Sequence, residues 1–130
     1  YLNLMGYGNI EFQSINDFPL MPISFFKHYE IKSGDWEPEA IFKSSGTSGM
    51  IRSHHLVRDE SWYDYVSQEI FASFYNEDYD MLALLPSYLE NGDSSLVHMV
   101  RHLTGDQDDD RFHLYDFEKL YSQIIERMVR

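Results

Sequence analysis

Apolar positions recur with a helical step at three places along the chain. From Asp59 or Ser61, either of which can cap a helix N-terminus, Trp62, Tyr65, Val66, Ile70 and Phe74 follow at three- and four-residue steps. This pattern predicts an amphipathic helix with a buried aromatic stripe. Asp93 or Ser94 opens a second helix through Leu96, Met99, Val100 and Leu103, and Gly105 stands where a C-terminal cap belongs. Phe117, Leu120, Tyr121, Ile124 and Met128 form a third helical stripe.

Between these helices the pattern changes. "YDMLALLP", Tyr79 to Pro86, is a continuous apolar run closed by proline, which suits a strand buried on both faces as in a parallel sheet. "RFHLYD" reads as another strand. "EAIFKSS", Glu39 to Ser45, and "SHHLVRD", Ser53 to Asp59, flank a Ser/Thr/Gly-rich break and read as a hairpin. Residues 1–35 show no sustained period. Pro19 and Pro22 extend the backbone before them, and "ISFFKHY" suits a short helix. Strands alternating with helices give an α/β fold class, a strand-loop-strand hairpin followed by alternating helices and strands. At 130 residues, 1–130 is read as one domain. It begins at Tyr1 and its last helix has no cap signal, so the expectation is a processed or truncated piece of a larger protein.

The hairpin break carries the candidate chemistry. A phosphate needs several N–H donors converging on one anion, and glycines let the backbone curl so that its amides face inward while hydroxyls add further donors. Ser44, Ser45, Gly46, Thr47, Ser48 and Gly49 supply both, and Arg52 follows with a positive charge. This is neither the Walker pattern nor the Gly-x-Ser-x-Gly elbow of hydrolases. A plain solvated Ser/Gly turn is the competing reading.

Composition narrows the partners. The 43% hydrophobic and 16% aromatic content belongs to a folded chain and not to a disordered one. Ten basic residues against 22 acidic ones give a net charge of −12, which repels nucleic acid and anionic membrane surfaces. The apolar runs are too short for a membrane span. The chain has no cysteine, so it holds neither a disulfide nor a thiolate metal site.

"SSGTSGMIR" resembles the phosphate loop of the adenylate-forming enzymes, Ser/Thr-Ser/Thr-Gly-Ser/Thr-Thr/Ser-Gly followed by x-Pro-Lys, and Ser44 to Gly49 match it position by position. Within that superfamily "FPLMPISFFK", "SGDWEPEAIFKSSGTSG" and "LALLPSYLENGDSSLVHMV" look like pieces of the acyl-protein synthetase component of bacterial bioluminescence fatty-acid reductases. The similarity covers most of residues 18–104. It implies part of a large N-terminal acyl-activating domain, cytoplasmic and bacterial, that uses ATP and Mg²⁺ to turn a fatty acyl carboxylate into acyl-adenylate. The acyl group then passes to a protein acceptor, and an acyl-reductase partner is implied too. By the same resemblance Ser44 to Gly49 bind the β- and γ-phosphates. Ile51 and Arg52 stand where the family has proline and lysine, and the cysteine through which those enzymes pass the acyl group is missing. The 130 residues alone are expected to be inactive.

Other residues bear on substrate more loosely. Tyr88, in the loop after the Tyr79–Pro86 run, is expected to border the acyl or nucleotide pocket by resemblance. His54 and His55 are adjacent, so on a strand they face opposite sides and cannot share a metal, but one of them is a candidate for lining the site. His98 and His102 are spaced i, i+4 without a third ligand beside them in sequence, so no metal site is expected. The aspartates at 106 and 108–110 read as a solvated loop. A second reading of the whole is a non-catalytic nucleotide-binding or interaction module. A third is an acyltransferase using Ser48 with His54 or His55. Self-association through a strand edge or the aromatic helix faces is expected.

Overall fold

The computed structural model describes residues 2, 5–45, 51–75, 79–105 and 110–129, and of positions 88 and 89 the backbone alone. Among these the order is α1 (Phe25–His28), β1 (Ala40–Lys43), β2 (His54–Val57), α2 (Glu60–Phe74), α3 (Tyr88–Asn91), α4 (Ser95–Thr104) and α5 (Phe117–Met128), after a 3₁₀ turn at Ile15–Asp17. The coarse α/β class therefore holds, as helices around a small antiparallel sheet.

Local chemistry explains where each helix starts. Of the two caps available to α2, Asp59 is used: its carboxylate accepts from the backbone N–H of Trp62 at 2.9 Å. Of the two available to α4, Ser94 is used, its hydroxyl accepting from the N–H of Val97 at 3.4 Å. This leaves the Asp93 carboxylate for another role. Gly105 closes α4 at φ 62°, a left-handed position that suits glycine. Asp116 caps α5 by accepting from Lys119 N–H at 3.0 Å.

β1 and β2 pair antiparallel, with Ala40 opposite Val57 and Lys43 opposite His54. Cross-strand partners share a face, so Phe42 and His55 lie on one side of the sheet, and the Phe42 ring meets those of Tyr63 and His98 at 5.0 and 5.2 Å. The tightest packing lies beyond, where Val97 of α4 is buried to 1% exposure against Ala83 and Phe112, with Leu85 and Val100 at the margin.

Two expectations change here. The strand expected over Tyr79–Pro86 is reduced to one parallel bridge, Ala83 to Phe112, and the strand expected in "RFHLYD" is the other half of that bridge. Ala83 is buried but its neighbour Leu84 is 54% exposed, so the run is covered on one side and not on both. The stripe expected to be buried on α2 is also open: Trp62, Tyr65, Ile70 and Phe74 are all at least half exposed, and the helix reaches its neighbours through Asp64, Tyr63 and Glu60 instead.

Candidate phosphate-binding site

The hairpin pairing does not end with the strands. Ser44 N–H donates to the Ser53 carbonyl at 3.0 Å, and Ser53 N–H donates to the Ser44 hydroxyl oxygen at 2.9 Å. Ser44 and Ser53 thus close the neck of the loop, one through its backbone and its side chain, the other through its backbone. Ser53 is buried and Ser45, one step further out, is exposed. Gly46, Thr47, Ser48 and Gly49 lie outside the described residues.

Arg52 lies across this neck. Its Nε–H donates to the Ser44 carbonyl at 2.7 Å, and its two terminal nitrogens take both oxygens of Asp93 at 3.1 and 3.0 Å. Lys43 reaches the same carboxylate, Nζ to Oδ2 at 3.1 Å, while its backbone N–H donates to the Asp93 carbonyl at 2.8 Å. Asp93, immediately before the cap of α4, is the anchor to which both edges of the neck are fastened. Burial by itself would raise its carboxyl pKa. The hydrogen bonds and charges of Arg52 and Lys43 outweigh that and hold it below the usual carboxylate range. Two cations against one carboxylate leave the trio one positive charge in excess, in a chain whose net charge is −12.

The other candidates sit elsewhere. His54 is exposed opposite Lys43 in the register, and so stands beside the neck. His55 stacks on Phe26 at 5.0 Å, which ties the hairpin to α1 and takes its ring away from the loop. Tyr88 begins α3, and its side chain lies outside the described residues.

His98 faces α2: its Nε2 lies 2.7 Å from Asp64 and its Nδ1 3.7 Å from Glu60, with His102 Nδ1 3.4 Å from the second Asp64 oxygen. Ringed by Phe42 and Tyr63, His98 packs two helices together. Among the described residues no cluster of three or more such side chains has metal-holding geometry, and no helix is long and apolar enough to cross a membrane.

Sequence reading missed Lys43 and Asp93. Lys43 reads as one polar residue of the strand expected over Glu39 to Ser45, and Asp93 as one of two alternative helix caps. The signal that could have found Asp93 is its redundancy: with Ser94 beside it to cap the helix, a second capping residue is available for other partners. No family model, no curated protein and no solved structure matches the chain.

Proposed function

We propose that the Ser44–Gly49 loop holds the phosphates of a nucleotide, and that the chain is the phosphate-binding part of an adenylate-forming, acyl-activating enzyme. The observation that carries this reading is the neck: a Ser/Thr/Gly loop opening between two crosslinked serines, with Lys43 and Arg52 carrying one more positive charge than Asp93 cancels. In an acidic chain, a local cationic excess at the mouth of a donor-rich loop favours an anion there over solvent.

The roles of the residues follow from their chemistry. Backbone N–H groups and hydroxyls of a Ser/Thr/Gly loop are the donor types that would stabilise charge moving onto departing pyrophosphate oxygens. Ser44, bonded to Ser53, fixes the direction in which the loop leaves the sheet. ATP, with Mg²⁺, would supply the electrophilic α-phosphorus, to which a fatty acyl carboxylate oxygen would bond as pyrophosphate leaves. A protein acceptor would take the acyl group, and the acyl-reductase partner and cytoplasmic setting implied by the resemblance belong to the same reading.

Titration with pyrophosphate and with ATP tests it. Both should bind, and Gly46→Val combined with Gly49→Val should weaken binding because added side chains block close backbone approach. Unchanged affinity in that double variant would return the loop to an ordinary solvated turn. Because the 130 residues alone are expected to be inactive, carboxylate-dependent exchange of labelled pyrophosphate into ATP is measured on the parent protein, where it separates an acyl-activating enzyme from a nucleotide-binding or interaction module without catalysis.

A further inference from the structure

The Asp93 carboxylate occupies an unusual position for a phosphate site. It lies bidentate on the Arg52 fork, NH1 and NH2 at 3.1 and 3.0 Å, and one of its oxygens is shared with Lys43 Nζ at 3.1 Å. The arginine fork matches carboxylates and phosphates alike, by two parallel N–H···O bonds. Side chains here are about one-third exposed, 34% for Arg52, 38% for Lys43 and 29% for Asp93, so an anion arriving from solvent can reach all three. The Nε–H of Arg52 is bonded to the Ser44 carbonyl, which keeps the guanidinium at the neck whichever anion its fork holds.

Resting on the phosphate-loop reading, we infer that Asp93 is a built-in counter-anion of the site. It holds Lys43 and Arg52 where two phosphate oxygens take its place, and Lys43 is a phosphate-binding residue alongside Arg52. Without a ligand, Asp93 neutralises one of two adjacent cations and keeps the neck from splaying by like-charge repulsion. When a phosphate enters, the carboxylate gives up part of the fork. Affinity is therefore set below what two cations alone would reach. Only an anion that offers more charge than a carboxylate displaces it, which selects polyphosphate over monoanions such as acetate.

Asp93→Asn is close in shape, and the backbone bond from Lys43 N–H to the carbonyl of residue 93 does not depend on the side chain. Calorimetric titration with inorganic pyrophosphate should show this variant binding roughly fivefold tighter or more, the lower range of typical coupling between sites. Lys43→Gln should bind more weakly and with a shallower dependence on salt. If the natural chain binds pyrophosphate and folded Asp93→Asn binds equally or more weakly, the counter-anion role is overturned while the phosphate loop stands. Lys43→Gln with unchanged affinity and salt dependence removes Lys43 from the site. If pyrophosphate binds neither the natural chain nor Asp93→Asn, the phosphate-loop reading itself fails, and this inference with it. Should Asp93→Asn lose its helical circular dichroism, competition decides. Acetate displacing pyrophosphate from the natural chain at equal concentration would overturn the selectivity that the carboxylate is held to impose.

Discussion

Helices α4 and α5 carry the same kind of apolar stripe and are fastened to the protein in opposite ways. α4 turns one edge of its stripe inward: Val97, beside the expected positions, is buried against Ala83 and Phe112 with Val100 at the margin, while Leu96 is 47% exposed. α5 is held by its polar side. Lys119 pairs with Asp110 at 3.3 Å, Gln123 donates to the Asp110 carbonyl at 3.1 Å, and Arg127 pairs with Asp80, which also binds Arg111. Most of its apolar residues are left outward, Phe117 at 60%, Tyr121 at 66% and Met128 at 79% exposure, with Leu120 half-buried. The period of a stripe fixes that a segment is helical. What covers the stripe depends on which surfaces lie nearby, and here charge has taken the neighbour that apolar area would ordinarily claim.

The comparison predicts unequal costs for truncating apolar side chains. Phe42→Ala removes a ring buried between Tyr63 and His98 and should cost about 3–5 kcal/mol, and Val97→Ala about 2 kcal/mol. Phe117→Ala, measured by urea unfolding at high dilution, should fall within about 0.5 kcal/mol of the natural chain. A loss at Phe117 as large as that at Val97 would mean that α5 is buried in solution and that the two helices do not differ.

How much of this was readable beforehand follows the same division. Elements governed by neighbours in sequence were legible: the starts of α2 and α4, each to within one of two capping residues, the cap position of Gly105, the short α1, and the hairpin around the loop. The caps and α1 depend on hydrogen bonds within a few residues, and the hairpin on two short strands joined by one loop. The strand expected at Tyr79–Pro86 was not, because an apolar run becomes a doubly covered strand only when partners lie on both sides, and here Phe112 bridges it at one residue. At the candidate site, the composition of the loop and the charge of Arg52 could be read. The partner of that charge could not: Asp93 is 41 residues away in sequence, and no local pattern joins the two.

Exposed apolar area on α5 and α2 also sharpens the comparison in a concentration-dependent way. At roughly 25 cal/mol per Å², a few hundred Å² of apolar surface favours association by several kcal/mol. The net charge of −12 opposes it only over about a Debye length, ~8 Å at physiological salt. We expect a second copy of the chain to cover the α5 stripe at micromolar concentration. Sedimentation equilibrium should show a dimer for the natural chain and a monomer for Phe117→Glu, which leaves the Val97 cluster intact. A natural chain that stays monomeric and binds no hydrophobic dye would sink this expectation.

The smallest effect concerns the charges that hold α5. Burial would raise the Asp80 carboxyl pKa, but hydrogen bonds and charge from Arg111 and Arg127 prevail and set it below the ordinary range. A depressed folded value means that the carboxylate stabilises the fold above its unfolded pKa, about 3.9, and that this contribution is lost as pH falls through the lower folded value. α5 should therefore loosen below about pH 4, and not around neutrality. The Asp80 side chain is 48% exposed, so the contribution is that of a surface network, under about 1 kcal/mol and weakened by salt. Asp93 titrates in the same window, so the informative quantity is a difference between two chains. Amide protection in α5, taken relative to the intrinsic exchange rate at each pH, should fall on acidification in the natural chain, and should be lower but much less dependent on pH in Asp80→Asn. Equal acid dependence in both would show that α5 is held by something other than its polar face, and the contrast with α4 would lose its physical basis.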